Sequence, residues 1–213
     1  MSLARSMPEM DEHAEIIKRG RALLATLDYA KPLQVDTEMF ELVDLIKRSG
    51  ARSYLEIGAR YGGSFERIMM AMGKGARGVL IDFPGGNFGD NNSAPILLSA
   101  VSRLRRNGLK VDDVIFGPSS APEVLERAKA LAPFDAIFID ADHSYEAVRR
   151  DFFMYAPLGR MVILHDIAAP VGTQSKTGRL VEVPRFWQEI KGRYRHEEII
   201  APETNMGIGV IWR

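Results

Sequence analysis

Phe138-Ile139-Asp140-Ala141-Asp142-His143-Ser144 is the stretch on which the reading of this chain turns: an apolar strand that ends in two acids and a histidine. Val162-Ile163-Leu164-His165-Asp166 repeats the shape. Strands that are apolar throughout belong to parallel sheets covered on both faces, and in such sheets ligands sit in the crevice outside the carboxyl ends of the strands. Asp140, His143 and Asp166 are thereby expected on one rim. Upstream, Tyr54-Leu55-Glu56-Ile57-Gly58-Ala59-Arg60-Tyr61-Gly62-Gly63 has the same layout, with an apolar strand breaking into a glycine-bearing turn before a helix.

Outward from these runs the pattern alternates. Strands are predicted at 53–58, 77–82, 111–116, 135–140 and 160–165, with helices at 63–73, 94–107, 121–131 and 144–156 between them; this βα rhythm is the signature of a doubly wound α/β fold. After Asp166 a polar stretch leads to a helix near Pro184 to Lys191. The segments 194–200 and 206–212 then read as two closing strands able to pair as an antiparallel hairpin. Residues 1–50 hold two amphipathic helices, 12–27 and 37–49, the second with Asp36 as N-cap and Gly50 as stop. These helices cover the core, cap the crevice rim or form a dimer contact, and 51–213 is the α/β body of one compact unit. Two polar loops, 84–92 and 167–179, leave carboxyl ends of strands and border the expected crevice.

Composition narrows the function. The 28 basic and 28 acidic residues of the 213 cancel without a basic block, which argues against a nucleic-acid surface. Zero cysteines exclude disulfides, thiolate metal sites and a cysteine nucleophile. No apolar run approaches the ~20 residues that span a bilayer and no signal-peptide core is present, so a cytoplasmic small-molecule enzyme is expected, free or as a homo-oligomer.

The strand ends suggest chemistry. A dinucleotide fingerprint needs a glycine where Arg60 stands, so the turn of Gly58 and Gly62 suits a ligand without a pyrophosphate. Asp82, closing the second strand, is placed to accept hydrogen bonds from a ribose, or else to cap the following turn. Ser119 and Ser120 follow the third strand, in reach of an adenine edge. Ser144 is read as the N-cap of the next helix, leaving His143 just outside it as a general base for a hydroxyl or as a structural residue. Asp140 and Asp166 face each other, where they repel unless a proton or a cation lies between them. Oxygen ligands of this kind suit magnesium, calcium or manganese.

Taken together, Leu55-Glu56-Ile57-Gly58 with Gly62-Gly63-Ser64, Phe138-Ile139-Asp140-x-x-His143-Ser144-Tyr145-Glu146, Asp151, His165-Asp166 and Val183-Pro184-Arg185-Phe186-Trp187 resemble the small class I S-adenosylmethionine-dependent methyltransferases. More narrowly the chain is similar to the macrocin O-methyltransferase and cephalosporin hydroxylase-like group. The resemblance implies a mostly parallel seven-stranded sheet of order 3-2-1-4-5-7-6 and methyl transfer from S-adenosylmethionine to a small-molecule hydroxyl, on a sugar or natural product. It implies that Glu56 and Gly58 belong to the cofactor turn, that Asp82 holds the ribose and that Asp140 lies between cofactor and metal, with His143 as general base; Arg60, Gly62 and Ser119 join the cofactor set by their places in the same turns. In metal-dependent relatives Asp140 and Asp166 would hold magnesium. This chain departs from them with Ile167 where a further oxygen ligand stands, and with His165 before the aspartate. The competing readings are an NAD-dependent oxidoreductase, which Arg60 disfavours, and a methyltransferase-like binding protein without activity.

Overall fold

The computed structural model describes residues 34–85, 93–175, 178–201 and 206–213. Helix 12–27 and most of loop 84–92 lie outside them. Seven strands form one sheet: β1 (Ser53–Ile57), β2 (Arg77–Asp82), β3 (Lys110–Phe116), β4 (Phe134–Ile139), β5 (Gly159–His165), β6 (Arg195–Ile199) and β7 (Ile208–Trp212), in the order β3-β2-β1-β4-β5-β7-β6. The first five pair in parallel. β7 runs antiparallel to both β5 and β6, so the closing hairpin inserts its second strand beside β5 and leaves β6 at the edge. The seven-stranded α/β fold and its order are as the resemblance implied.

Six helices accompany the sheet among the described residues: α1 (Asp36–Ser49), α2 (Gly63–Met72), α3 (Ser93–Arg106), α4 (Pro122–Ala130), α5 (Tyr145–Tyr155) and α6 (Val183–Ile190). Strand side chains alternate between two cores. Tyr54, Leu80, Ala136 and Phe138 meet Met39, Leu42, Phe65 and Leu104 of the first three helices. Leu55, Ile81, Ile137 and Ile139 meet Val124, Phe152, Phe186 and Trp187 of the last three. Burial on both faces explains why the central strands read as continuous apolar runs. α1 therefore packs on the core, and Gly50, at φ 68°, ends it as expected. Its N-cap position is taken by Val35, one residue before the Asp36 the sequence suggested.

The order reverses between β1 and β4, the switch point at which such sheets open a crevice. None of the described helices is long and apolar enough to cross a membrane.

Candidate active site

A cavity of about 390 Å³ opens at the carboxyl ends of the parallel strands, lined at one end by Gly58, Asp82 and Ser119 and at the other by Asp140, His143 and Asp166. This volume falls in the range of small-molecule sites.

At the β1 tip, Gly58 (φ 92°) donates its N–H to the Ile81 carbonyl at 2.9 Å, while Asp140 N donates to Ile57 O at 2.9 Å. A Cβ at position 58 would lie 2.1 Å from the Asp140 carbonyl oxygen. The glycine is thus required by the close crossing of two strand ends, whatever ligand lies above it. Gly62 (φ 81°) opens α2, and a Cβ there would lie 2.9 Å from Leu97 Cδ1. Gly62 faces α3 and is not among the residues lining the cavity.

Arg60 and Asp166 are the two non-glycine residues with positive φ among those described, at 46° and 63°, and both line the cavity. Such backbone costs of order 1–3 kcal/mol per residue and persists where the surroundings over-determine it. Arg60 donates its backbone N–H to Asp82 Oδ1 at 2.9 Å, and its guanidinium lies over the Tyr61 ring, 5.0 Å from the centroid. Burial pushes the Asp82 carboxyl above its ordinary value, partly offset by the Arg60 and Phe83 backbone N–H groups and the Arg60 charge. One oxygen of Asp82 therefore holds the β1 turn at Arg60, a different turn from the one after its own strand that the sequence suggested, while the residue remains on the cavity wall.

Ser119 also lines the cavity, but it donates its hydroxyl to the Asp151 carboxylate, 2.9 and 3.0 Å from the two oxygens. Tyr155, one turn further along α5, donates to Ser119 O at 2.7 Å. The β3–α4 loop is thus clamped from α5, and its serine hydroxyl is committed to protein where the sequence suggested a ligand edge. Burial raises Asp151 to about 6 against the pull of Ser119 and Arg150.

Glu56 sits behind the wall, fully buried and not among the lining residues. Tyr54 Oη and Ser64 Oγ both donate to it. Burial carries its carboxyl to about 8, despite those two hydrogen bonds. Where the resemblance implied a cofactor contact, the structure places Glu56 beneath the β1 turn and off the cavity wall.

At the other end, α5 starts after Ser144, which has the extended dihedrals of an N-cap but makes no side-chain cap hydrogen bond. The capping expected of Ser144 is carried by neighbours: Ser144 N donates to Asp142 Oδ1 at 2.9 Å, and Tyr145 N to Glu182 Oε2 at 3.3 Å. Glu182, before α6, in turn donates its N–H to His143 O at 2.8 Å, so the far end of the loop after β5 is tied to the rim.

The left-handed turn at Asp166 brings its carboxylate back over the strand ends. His143 Nδ1 lies 2.7 Å from Asp166 Oδ2; His165 Nδ1 lies 3.0 Å from Asp166 Oδ1 and 3.3 Å from Asp140 Oδ1. Gln34 Nε2 donates to Asp140 Oδ2. Burial favours the neutral forms, but the opposed charges prevail: Asp140 is held below the ordinary carboxylate value by His165, His143 and Gln34, and His165 rises to about 9 beside Asp140, Asp166 and the more distant Glu38. His143 also rises, because its hydrogen bond to Asp166 and the charges of Asp140 and Asp166 outweigh burial.

Gln34 was not foreseen. Gln34-Val35-Asp36 shows only a helix start, and a contact to Asp140 across the chain leaves no local mark. His165 stood out in the sequence only as a departure from the metal-dependent relatives; its bridging position depends on the turn at Asp166.

Asp140, His143 and Asp166 each offer a ligand atom within 4.8 Å of the others. The set does not fit magnesium. One of the three donors is an imidazole nitrogen, whereas magnesium takes oxygen in strict octahedral geometry. All four carboxylate oxygens already face nitrogen: Asp140 meets His165 and Gln34, and Asp166 meets His165 and His143. Ile167, buried in the core, has no side-chain oxygen to add.

A seven-stranded sheet of this order, with an acid-ended β2 and a glycine turn at its switch point, is the arrangement that the resemblance to class I S-adenosylmethionine-dependent methyltransferases implied. Residues 55–167, just over half of the chain, match the family described as Methyltransferase domain, and the chain belongs to that family. Among curated proteins, none matches this sequence. Solved structures similar in fold include an O-methyltransferase from Bacillus cereus in complex with SAH, at 21% identity and a TM-score of 0.63 over 99% of this chain and 93% of that one. TomG from Streptomyces achromogenes, an O-methyltransferase involved in tomaymycin synthesis, in complex with SAM, aligns at 19% identity and a TM-score of 0.62 over 99% and 91%. The SAH-bound methyltransferase PaMTH1 of Podospora anserina aligns at 13% and 0.58 over 100% and 99%.

Proposed function

We propose that this protein transfers the methyl group of S-adenosylmethionine to a hydroxyl of a small molecule, with His143 as the general base. The observation that carries the reading is the His143–Asp166 contact at 2.7 Å on the cavity rim. An aspartate on Nδ1 fixes the ring and its tautomer, which leaves Nε2 as the basic nitrogen; this is the logic by which an acid orients a catalytic histidine. The names of the structural neighbours support oxygen as the acceptor atom.

The cofactor would lie along the β1 turn, with Asp82 toward its ribose, the Gly117–Ser120 loop toward its base, and the backbone at Gly58 to Arg60 beneath it. When bound it supplies an electrophilic methyl on a sulfonium, whose leaving group is a neutral thioether. The protein's work is then positioning, exclusion of water and removal of the acceptor proton. Asp166 holds His143 in place for that proton, and Asp140 completes the charge balance. The raised pKa of His143 means turnover should climb with pH above the ordinary histidine value of about 6.5, as the base loses its own proton.

The test has two arms. Calorimetry with S-adenosylhomocysteine should show binding, and NAD should show none; the reverse would overturn the reading. Incubation with S-adenosylmethionine and a panel of sugar and phenolic hydroxyl compounds should give a methylated product by mass spectrometry.

A further inference from the structure

We infer that His165 occupies the place of a divalent cation between Asp140 and Asp166, and that the site assembles and works without a metal. The inference rests on the methyltransferase reading only for where the chemistry lies; the cation question is decided by geometry. Two carboxylates, at the ends of adjacent parallel strands, point into one cavity, and such a pair needs positive charge or a shared proton between its members. His165 Nδ1 touches an oxygen of each, at 3.3 Å on Asp140 and 3.0 Å on Asp166. The ring is anchored for this: it is largely buried, its edge or face set against Phe138 at 6.4 Å between centroids and an interplanar angle of 86°.

The remaining carboxylate oxygens are taken by Gln34 on one side and His143 on the other. A metal that entered would have to displace hydrogen bonds from three side chains, with no water-facing oxygen offered in return. The groups facing His165 are Asp140 from β4, Asp166 from its own turn, Glu38 from α1 and His143 from the segment before α5. Three are acids, and the fourth is the imidazole of His143. His165 is thus a positioning residue: it acts on the acceptor only through the two aspartates, and through Asp166 on His143.

The mechanistic consequence is a division of labour. Where a metal both lowers the pKa of a hydroxyl and orients it, a bridging imidazole does neither for the acceptor. Proton removal then falls wholly to His143, and the site has no need for two neighbouring acceptor oxygens to chelate an ion. Single hydroxyls are therefore the substrate class the arrangement favours.

The experiment is a titration of manganese and magnesium chlorides into chelator-treated, dialysed full-length protein, followed by calorimetry and thermal shift. Wild type should show no saturable binding of either ion. His165→Ala removes the bridging group and frees one oxygen on each of the two carboxylates beside His143; it should acquire manganese binding at least about tenfold tighter than wild type, with a thermal shift that Asp166→Asn in the same background abolishes. A merely structural histidine would destabilise the protein on removal without creating a metal site. Saturable binding by wild type that Asp166→Asn weakens would overturn the inference, as would an alanine variant that gains nothing. Should the alanine variant fail to fold, His165→Gln, which is neutral and of similar reach, carries the comparison, and the wild-type titration stands by itself. S-adenosylhomocysteine titrated into the same samples separates the two ideas: failure to bind it counts against the methyltransferase reading and leaves the metal result intact.

Discussion

The two ends of the cavity bury acids in opposite ways. Toward the cofactor end, Glu56 is met by the hydroxyls of Tyr54 and Ser64, and Asp151 by the hydroxyl of Ser119 and, at 3.5 Å, by the half-exposed Arg150; both carboxyls rise, to about 8 and about 6. At the β4 and β5 tips, Asp140 is met by the imidazole of His165 and the Gln34 amide, and its carboxyl falls. Hydroxyls return hydrogen bonds but no charge, so burial keeps Glu56 protonated at neutral pH and lifts Asp151 without neutralising it; an imidazole returns charge, so the Asp140 carboxylate stays ionised. The half assigned to the cofactor is thus close to neutral around its buried acids. The half assigned to the acceptor is a network of fixed charges, which suits the end of the site where a proton must move.

The largest test of this contrast is the pH dependence of stability. The Glu56 carboxyl has a folded value of about 8 against 4.5 for the free side chain. A group whose pKa is raised on folding contributes stability that is full below its unfolded value and is lost as pH rises through the folded value. Stability should therefore decline between about 4.5 and 8, by at most on the order of 5 kcal/mol at about 1.4 kcal/mol per pH unit. Glu56→Gln, which keeps the neutral shape, should flatten that decline. Urea midpoints for both proteins across the interval measure it, and parallel curves would mean that Glu56 is ionised in the fold and the contrast is false.

Second in size is the removal of the base from the charged half. His143→Ala should lower turnover by 10²–10⁴-fold, roughly 3–5 kcal/mol, with little change in S-adenosylhomocysteine affinity. Loss of affinity along with rate would show that the two ends of the cavity are not separable. Unchanged turnover would make the imidazole structural.

On the neutral half, Asp82→Ala should weaken S-adenosylhomocysteine binding by one charge-assisted hydrogen bond or two, about 1.5–3 kcal/mol each. Because Asp82 Oδ1 also takes the Arg60 backbone N–H, the variant must be compared with Asp82→Asn. The amide oxygen can still hold the turn, so an asparagine variant of normal melting temperature and weakened binding isolates the ligand contact. If both variants bind normally, the carboxylate serves the turn alone.

What the sequence carried, and what it did not, follows the same division. Strand and helix positions were legible because two-sided burial writes continuous apolar runs at β1, β4 and β5, and the hairpin of β6 and β7 was legible from its proximity in the chain. Asp140, His143 and Asp166 were legible because each closes such a run. The roles around them were less so, since they depend on contacts between distant segments: Gln34 reaches Asp140, and Asp151 takes the hydroxyl of Ser119. Gly58 showed the reverse problem, for its signal was plain but its cause is the Asp140 carbonyl 2.1 Å from a would-be Cβ. The turn at Asp166, φ 63°, had no signal at all, because nothing local in His165-Asp166-Ile167 demands it.

The smallest expected effect concerns the clamp on the β3–α4 loop, and it tests whether the neutral half is held by side chains or by backbone. Ser119→Ala removes the one hydroxyl that meets both Asp151 oxygens, while Tyr155 Oη still holds the Ser119 carbonyl at 2.7 Å. A neutral hydrogen bond contributes about 0.5–1.5 kcal/mol, so cofactor affinity should fall no more than about tenfold and the fold should persist. With its hydroxyl partner gone, Asp151 loses a group that now lowers its pKa, and its carboxyl should titrate above the present value of about 6. Carbon-detected NMR of the Asp151 carboxyl reads that directly, and calorimetry with S-adenosylhomocysteine reads the loop. An upward titration with unchanged affinity would place the loop's rigidity in Tyr155 and the backbone. A loss well beyond tenfold would instead give Ser119 a ligand contact of its own, and the neutral half would then use side chains as the charged half does.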